Sequence, residues 1–236
     1  MKRVAIVQSN YIPWRGYFDL INRVDEFVLL DEVQFTRRDW RNRNLIKTPQ
    51  GAKWLTIPVA SKGQYLQKIS EVRVEDASWA EKHWKSIIHA YSKAPYFSRY
   101  ENWLKALYEN AAQETCLSAI NRLFLEAICR EIGINTVLSN SSDYALEGAK
   151  TERLLSICVQ AEANCYLSGP AAKDYLEEKQ FQEQGITVNW MDYADYPDYF
   201  QLHGDFDGKV SIVDLLMNVG PDARDYMLSF DTTSKA

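Results

Sequence analysis

The sequence predicts an α/β protein, a three-layer sandwich with a mainly parallel, Rossmann-like sheet. Short apolar runs of strand length recur along the chain, at residues 4–7, 27–30 and 165–167. Segments with apolar residues at helical spacing lie between them. Strands that alternate with helices usually pair in parallel. The first two runs, with a short helix predicted over residues 17–23, therefore indicate a βαβ unit.

The chain after the second strand is predicted to leave this alternation. Residues 31–47 are polar and basic, whereas residues 54–59 and 69–74 have the composition of strands. Pro58 cannot donate a hydrogen bond to a neighbouring strand, so the first of these is unsuited to the middle of a sheet. We therefore expect an antiparallel excursion near residues 54–74.

Residues 78–132 are predicted to form a helical stretch. Its first helix stops at Pro95, and Gly133 has the position of a helix C-terminus. No change of composition separates the stretch from its neighbours. We expect a single α/β domain over residues 1–236, with 78–132 as a possible helical insert and 231–236 as a loose tail.

The alternation then resumes and supplies the other strands of the sheet. The predicted elements are a strand at 136–138, a helix from Thr151, a strand at 165–167, a helix at 171–178, a strand at 186–191 and a last helix from Ser211.

Composition narrows the class of protein. The net charge of −5 argues against nucleic acid as a ligand. No apolar run approaches the ~20 residues of a membrane-spanning helix, and the first apolar run is too short for a signal peptide. The four cysteines contain no CxxC pair, and the three histidines lack zinc-finger spacing. We expect a cytoplasmic protein without a metal site, and no residue pattern specifies a cofactor.

The loop after the first strand is the first candidate binding segment, because ligands of open α/β sheets bind beyond the carboxyl ends of the strands. Gly16 permits close approach of the backbone, and the helix that follows presents free N–H groups to an anion. The alternative is a Pro-Gly turn whose aromatic rings close the edge of the core. The candidate residues are Gln8, Asn10, Tyr11, Trp14, Gly16 and Tyr17.

The second candidate segment holds four arginines within residues 37–43 of an acidic protein. Guanidinium groups bind phosphate or carboxylate in a bidentate manner, and asparagines add neutral donors. The alternative is a solvated basic loop paired with acidic neighbours. The candidate residues are Gln34, Arg37, Arg41, Asn42, Arg43 and Asn44.

Asp31 and His83 are the candidate catalytic residues. Asp31 directly follows the second strand, where a general base is commonly found, although it is equally suited to cap the turn. His83 lies on a predicted helix and is a candidate acid or base, although most helical histidines are packed or exposed. Ser168 and Gly169 follow another strand, where they can cradle a ligand or begin the next helix.

Several of these motifs resemble those of the WbqC-like family. The matching stretches are residues 8–18 with Asp25, Asp31, Gln34, Trp40, 42–44, 54–59, Trp79 with His83, 151–154, 166–169 with Tyr175, and 211–220. One departure is Asp198, where a glutamine is expected in the family. The resemblance covers nearly the whole chain. It implies a bacterial protein of surface-polysaccharide or O-antigen biosynthesis, in a family loosely described as transferases.

The leading functional hypothesis is a transferase that modifies a nucleotide-linked amino sugar, with acyl or aminoacyl transfer as the candidate reaction. Asp31 or His83 would be the base, arginines of residues 37–43 would hold the anion, and Trp14 and Tyr17 would stack on the ligand. One alternative is a nucleotidyltransferase on an HxGH-like Rossmann scaffold, although Trp14 and Tyr17 replace its histidines. Another is a non-catalytic protein that binds a nucleotide sugar. The expected binding partner is a small molecule, and the sequence leaves open whether the protein forms a homodimer.

Overall fold

The strands and helices follow one another in nearly the alternation that the sequence predicts. The computed structural model describes residues 1–230. The strands are β1 (Arg3–Val7), β2 (Glu26–Leu29), β3 (Arg43–Thr48), β4 (Gly51–Thr56), β5 (Val137–Asn140), β6 (Cys165–Ser168) and β7 (Thr187–Trp190). The helices are α1 (Arg15–Asn22), α2 (Trp79–Tyr91), α3 (Phe97–Ala111), α4 (Leu117–Glu131), α5 (Thr151–Gln160), α6 (Glu178–Glu183) and α7 (Ile212–Val219). The predicted tail at 231–236 lies outside the described residues.

A five-stranded parallel sheet in the order β5-β2-β1-β6-β7 is the centre of the fold. The chain adds β2 and β5 on one side of β1, and later β6 and β7 on the other side. The strand order therefore reverses between β1 and β6. In sheets of this type the reversal leaves a crevice beyond the carboxyl ends of the two strands, and ligands bind there.

Side chains that alternate along the strands divide the core into two layers. Ala5 and Phe27 belong to a cluster that includes buried residues of α1, α2, α3, α4 and α7. Val4 and Val28 point to the opposite face and pack with residues of α5 and with Phe181 of α6. The predicted three-layer sandwich is confirmed. The helical stretch at 78–132 shares its core with one face of the sheet.

The antiparallel excursion exists, but its strands differ from those predicted. The hairpin pairs β3 with β4, and Gly51, at φ 105°, occupies a backbone conformation that suits glycine at the turn. The prediction of a strand over residues 69–74 is wrong, since Ile69–Glu71 is a 3₁₀ turn. Arg73 and Val74 form isolated bridges to two different segments, so no continuous ladder can develop.

The helix predicted over residues 171–178 is also wrong. The chain forms a 3₁₀ turn at Pro170–Asp174, and α6 begins only at Glu178. The hydroxyl of Thr151 explains the interruption, because it donates to the carbonyl of Tyr175 and accepts the N–H of Glu177. Those backbone groups are thereby withdrawn from a helical ladder.

Candidate functional site

A cavity of about 420 Å³ lies at the reversal of strand order between β1 and β6. We call it the crevice. Gln8 borders it from the end of β1, and Ser168 and Gly169 border it from the end of β6. Its other lining residues are Ile6, Val7, Trp14, Tyr17, Leu20, Leu30, Val33, Lys150, Arg153, Leu154, Tyr166, Ala171, Ala172, Tyr175 and Tyr193. Five of the candidate binding residues thus meet in one cavity: Gln8, Trp14, Tyr17, Ser168 and Gly169.

Aromatic rings form one wall of the crevice. The ring centroids of Trp14 and Tyr193 lie 5.2 Å apart, and the hydroxyl of Tyr17 donates to the carbonyl of Gln8 at 2.9 Å. Burial raises the pKa of Tyr193 to about 12, so this phenol stays neutral at physiological pH. The wall therefore offers flat apolar surface without negative charge.

Two cations border the crevice at the start of α5. Lys150 immediately precedes the helix, and Arg153 lies in its first turn. Arg153 donates from one terminal nitrogen to the carbonyl of Gly148 at 3.1 Å, and its Nε is buried without a partner among the described residues. Neither cation is in any ion pair of the described residues. Positive charge without a direct ion pair, next to a helix N-terminus, favours an anionic ligand.

The candidate base Asp31 lies outside the lining of the crevice. Its side chain is buried, and its two oxygens accept the backbone N–H of Ser9, at 2.9 Å, and the hydroxyl of Ser118. The carboxylate thereby ties the loop after β1 to α4. Asp31 therefore has a structural role, whereas its catalytic role stays a prediction.

His83 lies in an aromatic network in the interior. Its Nε2 donates to the carbonyl of Thr56 at 3.2 Å, so Nδ1 is left to accept the hydroxyl of Tyr11 at 2.9 Å. The hydroxyls of Tyr11 and Tyr108 are themselves 2.7 Å apart. Burial lowers the pKa of His83 to about 4, which keeps the ring neutral at physiological pH. Neither His83 nor Tyr11 lines the crevice, and their predicted roles in catalysis and binding stay predictions.

Three arginines of residues 37–43 donate hydrogen bonds to oxygens of the protein. Arg37 donates to the carbonyl of Ser61. Arg41 donates to the side-chain oxygen of Asn10, and Arg43 donates to the carbonyl of Arg38. The structure does not place them at the crevice.

The neutral candidates near this segment are also engaged with the backbone. Gln34 donates to the carbonyl of Tyr65, and Asn42 donates to that of Ile57. Asn44 donates to the carbonyls of Tyr11 and Ile12, both at 3.0 Å, and so holds the loop after β1 in place.

A second cavity, of about 320 Å³, shares the Trp14 side chain with the crevice. We call it the Trp40 cavity. It is lined by Asn10, Pro13, Trp14, Trp40, Asn44 and Lys209. The rigid packing of Trp14 depends on Gly16, where a Cβ would overlap the indole ring. Gly16 is therefore a supporting residue of both cavities.

Sequence reasoning missed Lys150, Arg153 and Lys209. The first two lie ten or more residues beyond the end of β5, where the rule for strand ends does not reach. A usable signal was present, since two cations flank the helix start at Thr151 just after Gly148. Within residues 1–230, no group of three or more histidine, cysteine or acidic residues is arranged to hold a metal. In the same part of the chain, no helix has the length and apolar character needed to cross a membrane.

Comparison with known proteins places the chain in a family. The model of the WbqC-like protein family matches residues 8–226. The chain belongs to the WbqC-like family. A protein of Mycobacterium tuberculosis (strain H37Rv), named "Uncharacterized protein Rv1507c", is 53% identical over 227 residues, which are 96% of this chain and 98% of that protein. No solved structure matches.

The WbqC-like match begins at Gln8, the first residue beyond β1 that lines the crevice. The matched range contains every residue that lines the two cavities except Ile6 and Val7. Both cavities are therefore built almost entirely from the part of the chain that defines membership of the family.

Proposed function

We propose that this chain is a transferase of surface-polysaccharide biosynthesis that binds a nucleotide-linked amino sugar in the crevice. The proposal rests on one observation, which is that cationic side chains and aromatic rings line the same cavity. Lys150 and Arg153 supply positive charge without a carboxylate partner, and Trp14 and Tyr193 supply flat neutral rings. A nucleotide sugar needs both surfaces, because it combines a diphosphate with planar and cyclic groups.

The size and position of the crevice support this ligand class. A cavity of about 420 Å³ falls within the ~300–1,000 Å³ of small-molecule pockets. It also lies at the reversal of strand order, where open parallel sheets bind nucleotides. A guanidinium can hold phosphate oxygens in a bidentate manner, and the one hydrogen bond of the Arg153 side chain among the described residues uses a single terminal nitrogen.

The proposed reaction is transfer of an acyl or aminoacyl group from a thioester or an adenylate to the amine of the sugar. The new amide bond replaces the bond to the thiol or to AMP, and the amine proton leaves with that group. The lining of the crevice includes hydroxyls of Ser168 and Tyr175 and the amine of Lys150, but no carboxylate, imidazole or thiol. In this proposal the protein contributes mainly by holding the reactants together and by stabilising negative charge. Asp31→Asn tests the rival assignment of a base, since retained turnover in that variant removes Asp31 from the chemistry.

Isothermal titration with UDP- and dTDP-linked amino sugars tests the binding step. We expect the Kd to rise by about 10–100-fold in Arg153→Gln, because a charged hydrogen bond contributes ~1.5–3 kcal/mol. Lys105→Gln is the matched control, since Lys105 is exposed on α3 and pairs only with Glu109. Equal affinity of Arg153→Gln and the wild type would contradict the proposal.

A non-catalytic protein that binds a nucleotide sugar is the second candidate. The absence of a carboxylate, imidazole or thiol from the lining favours it. Incubation of a bound nucleotide-linked amino sugar with acyl-CoA donors, or with ATP and amino acids, distinguishes the candidates by mass spectrometry. Acylated product supports the transferase, an unchanged ligand supports the binding protein, and released pyrophosphate without acylation indicates nucleotidyl transfer.

A further inference from the structure

The Trp40 cavity is not part of the proposed nucleotide site. It shares Trp14 with the crevice and has a volume of about 320 Å³. Trp40, which is 40% exposed, contributes to its lining. A partly exposed tryptophan in a cavity is a common feature of ligand sites, because its ring offers a large contact area.

Three acceptor groups in the lining of the Trp40 cavity are already engaged. The side-chain oxygen of Asn10 accepts from Arg41, and that of Asn44 accepts the N–H of Leu45 at 2.8 Å. The carbonyl of Pro13 accepts the N–H of Ile212 at 2.9 Å. A ligand therefore finds few free acceptors among these groups.

The side-chain groups that stay free in this cavity are donors. Within the described residues, no hydrogen bond involves the amide nitrogen of Asn10 or the indole N–H groups of Trp14 and Trp40, and the ammonium group of Lys209 is in no ion pair. A ligand that complements them must present oxygen acceptors next to an apolar face.

The aromatic surface is held in position from outside the cavity. The ring centroids of Trp40 and Trp54 lie 5.3 Å apart, and the guanidinium carbon of Arg43 lies 4.1 Å from the centroid of the Trp54 ring. Stacking of this kind restricts the rotation of both side chains. The ring of Trp40 is thus oriented before a ligand arrives.

We infer that the Trp40 cavity is a pyranoside-binding subsite, separate from the crevice and sharing Trp14 with it. A pyranose has an apolar C–H face that can stack on the Trp40 ring, and its rim of hydroxyls can accept hydrogen bonds from the free donors of the cavity. The inference rests on the proposed function only in treating the saccharide as the second substrate.

The ¹H–¹⁵N spectrum of the seven indole N–H groups in the full chain tests this inference. The probes are the methyl pyranosides of glucose, galactose and mannose, and N-acetylglucosamine. We expect the signals of Trp14 and Trp40, assigned from Trp14→Phe and Trp40→Phe, to shift on addition of at least one probe. The signal of Trp103 on α3 serves as the internal reference that stays unmoved.

Two variants sharpen the test. We expect Trp40→Ala and Lys209→Gln each to weaken pyranoside binding about 10-fold or more, as the loss of one stacking or charged contact implies. Both are expected to bind UDP-linked sugars in the crevice as the wild type does. Lys105→Gln is the matched control for Lys209→Gln.

Two outcomes would overturn the inference. One is that no pyranoside moves the Trp40 signal even at high millimolar concentration. The other is that UDP moves the Trp40 signal more than any pyranoside does, because the cavity then holds the base of the nucleotide. Failure of the proposed function is a different result, in which no nucleotide binds to the wild type whether or not Trp40 responds to a pyranoside.

Discussion

The crevice and the buried network around His83 are both rich in aromatic and polar side chains, but they differ in how those groups are partnered. In the network, both ring nitrogens of His83 and the hydroxyl of Tyr11 have partners inside the protein. At the crevice, neither Lys150 nor Arg153 forms an ion pair among the described residues. Partnered groups stabilise the fold, whereas unpartnered groups next to a cavity are available to a ligand.

This difference predicts opposite effects of substitution in the two regions. Changes in the network should reduce the free energy of unfolding and leave ligand affinity nearly unchanged. Changes at the crevice should reduce affinity and leave the free energy of unfolding nearly unchanged, because surface substitutions usually alter it by less than ~0.5 kcal/mol. The tests below are ordered by the size of the expected effect.

Tyr11→Ala is expected to have the largest effect. Tyr11 is 0% exposed, and loss of a buried aromatic ring costs ~3–5 kcal/mol in the free energy of unfolding. Urea denaturation measures the loss. Tyr175→Ala is the control, since Tyr175 is half exposed at the crevice and should change stability by less than ~0.5 kcal/mol. A loss of nucleotide-sugar affinity in folded Tyr11→Ala would break the distinction between the two regions.

The fold could be predicted from the sequence wherever a strand lies in a sheet whose two faces are both covered. The apolar runs of β1, β2 and β6 specify strands because both faces of the parallel sheet are covered. The strand β3 was missed because four of its six residues, RNLIKT, are polar and it follows a run of arginines. The prediction of a strand at 69–74 was wrong because the local alternation of polar and apolar residues does not show which segment a strand pairs with.

The candidate site was predictable only in part, for a similar reason. Residues adjacent to strand ends, such as Gln8 and Ser168, could be placed at the crevice from the rule for open sheets. Lys150 reaches the same cavity from the end of a ten-residue segment after β5, which only tertiary structure positions. Sequence also cannot tell whether a side chain is already partnered within the protein, as those of Tyr11, Arg41 and Arg43 are, and their predicted roles in binding stay predictions.

The pH dependence of stability tests the network independently. The pKa of His83 falls from 6.5 to about 4 on burial, so the unfolded chain binds a proton at a pH where the folded chain does not. The free energy of unfolding should therefore fall as the pH drops from about 6.5 to about 4, by at most ~3 kcal/mol from this group. Above pH 7, His83 does not contribute to the pH dependence of the free energy of unfolding.

The measurement compares urea denaturation of the wild type and His83→Gln at pH 7.5 and pH 4.5. Other groups titrate equally in both proteins. The free energy of unfolding that each protein loses between pH 7.5 and pH 4.5 therefore differs only by the contribution of His83. A larger loss in the wild type supports a neutral, buried imidazole. Equal losses would mean that His83 can take up a proton in the folded state, and its catalytic assignment would regain support.

Gly16→Ala probes the side chain that the two cavities share. An added methyl group overlaps the Trp14 indole, and overpacking of this kind costs ~1–3 kcal/mol. Because Trp14 must move, affinity for both nucleotide sugars and pyranosides should fall. Gly169→Ala is the comparison, since Gly169 lines the crevice only and its added Cβ would lie 3.8 Å from the nearest atom, the Tyr193 hydroxyl oxygen, so affinity for pyranosides should not change. Unchanged affinity for both ligands in Gly16→Ala would show that Trp14 does not shape the cavities.

Arg43→Ala has the smallest expected effect and separates two interpretations of the arginine-rich segment. If Arg43 mainly stacks on Trp54, its loss should cost ~0.5–1 kcal/mol in the free energy of unfolding and leave nucleotide-sugar affinity unchanged. If instead it holds the ligand's phosphate, affinity should fall about 10-fold or more. Titration of one UDP sugar into Arg43→Ala and Arg153→Gln in parallel decides between them. A loss confined to Arg153→Gln places the anion at the start of α5, whereas a loss in Arg43→Ala moves it to the β3 hairpin.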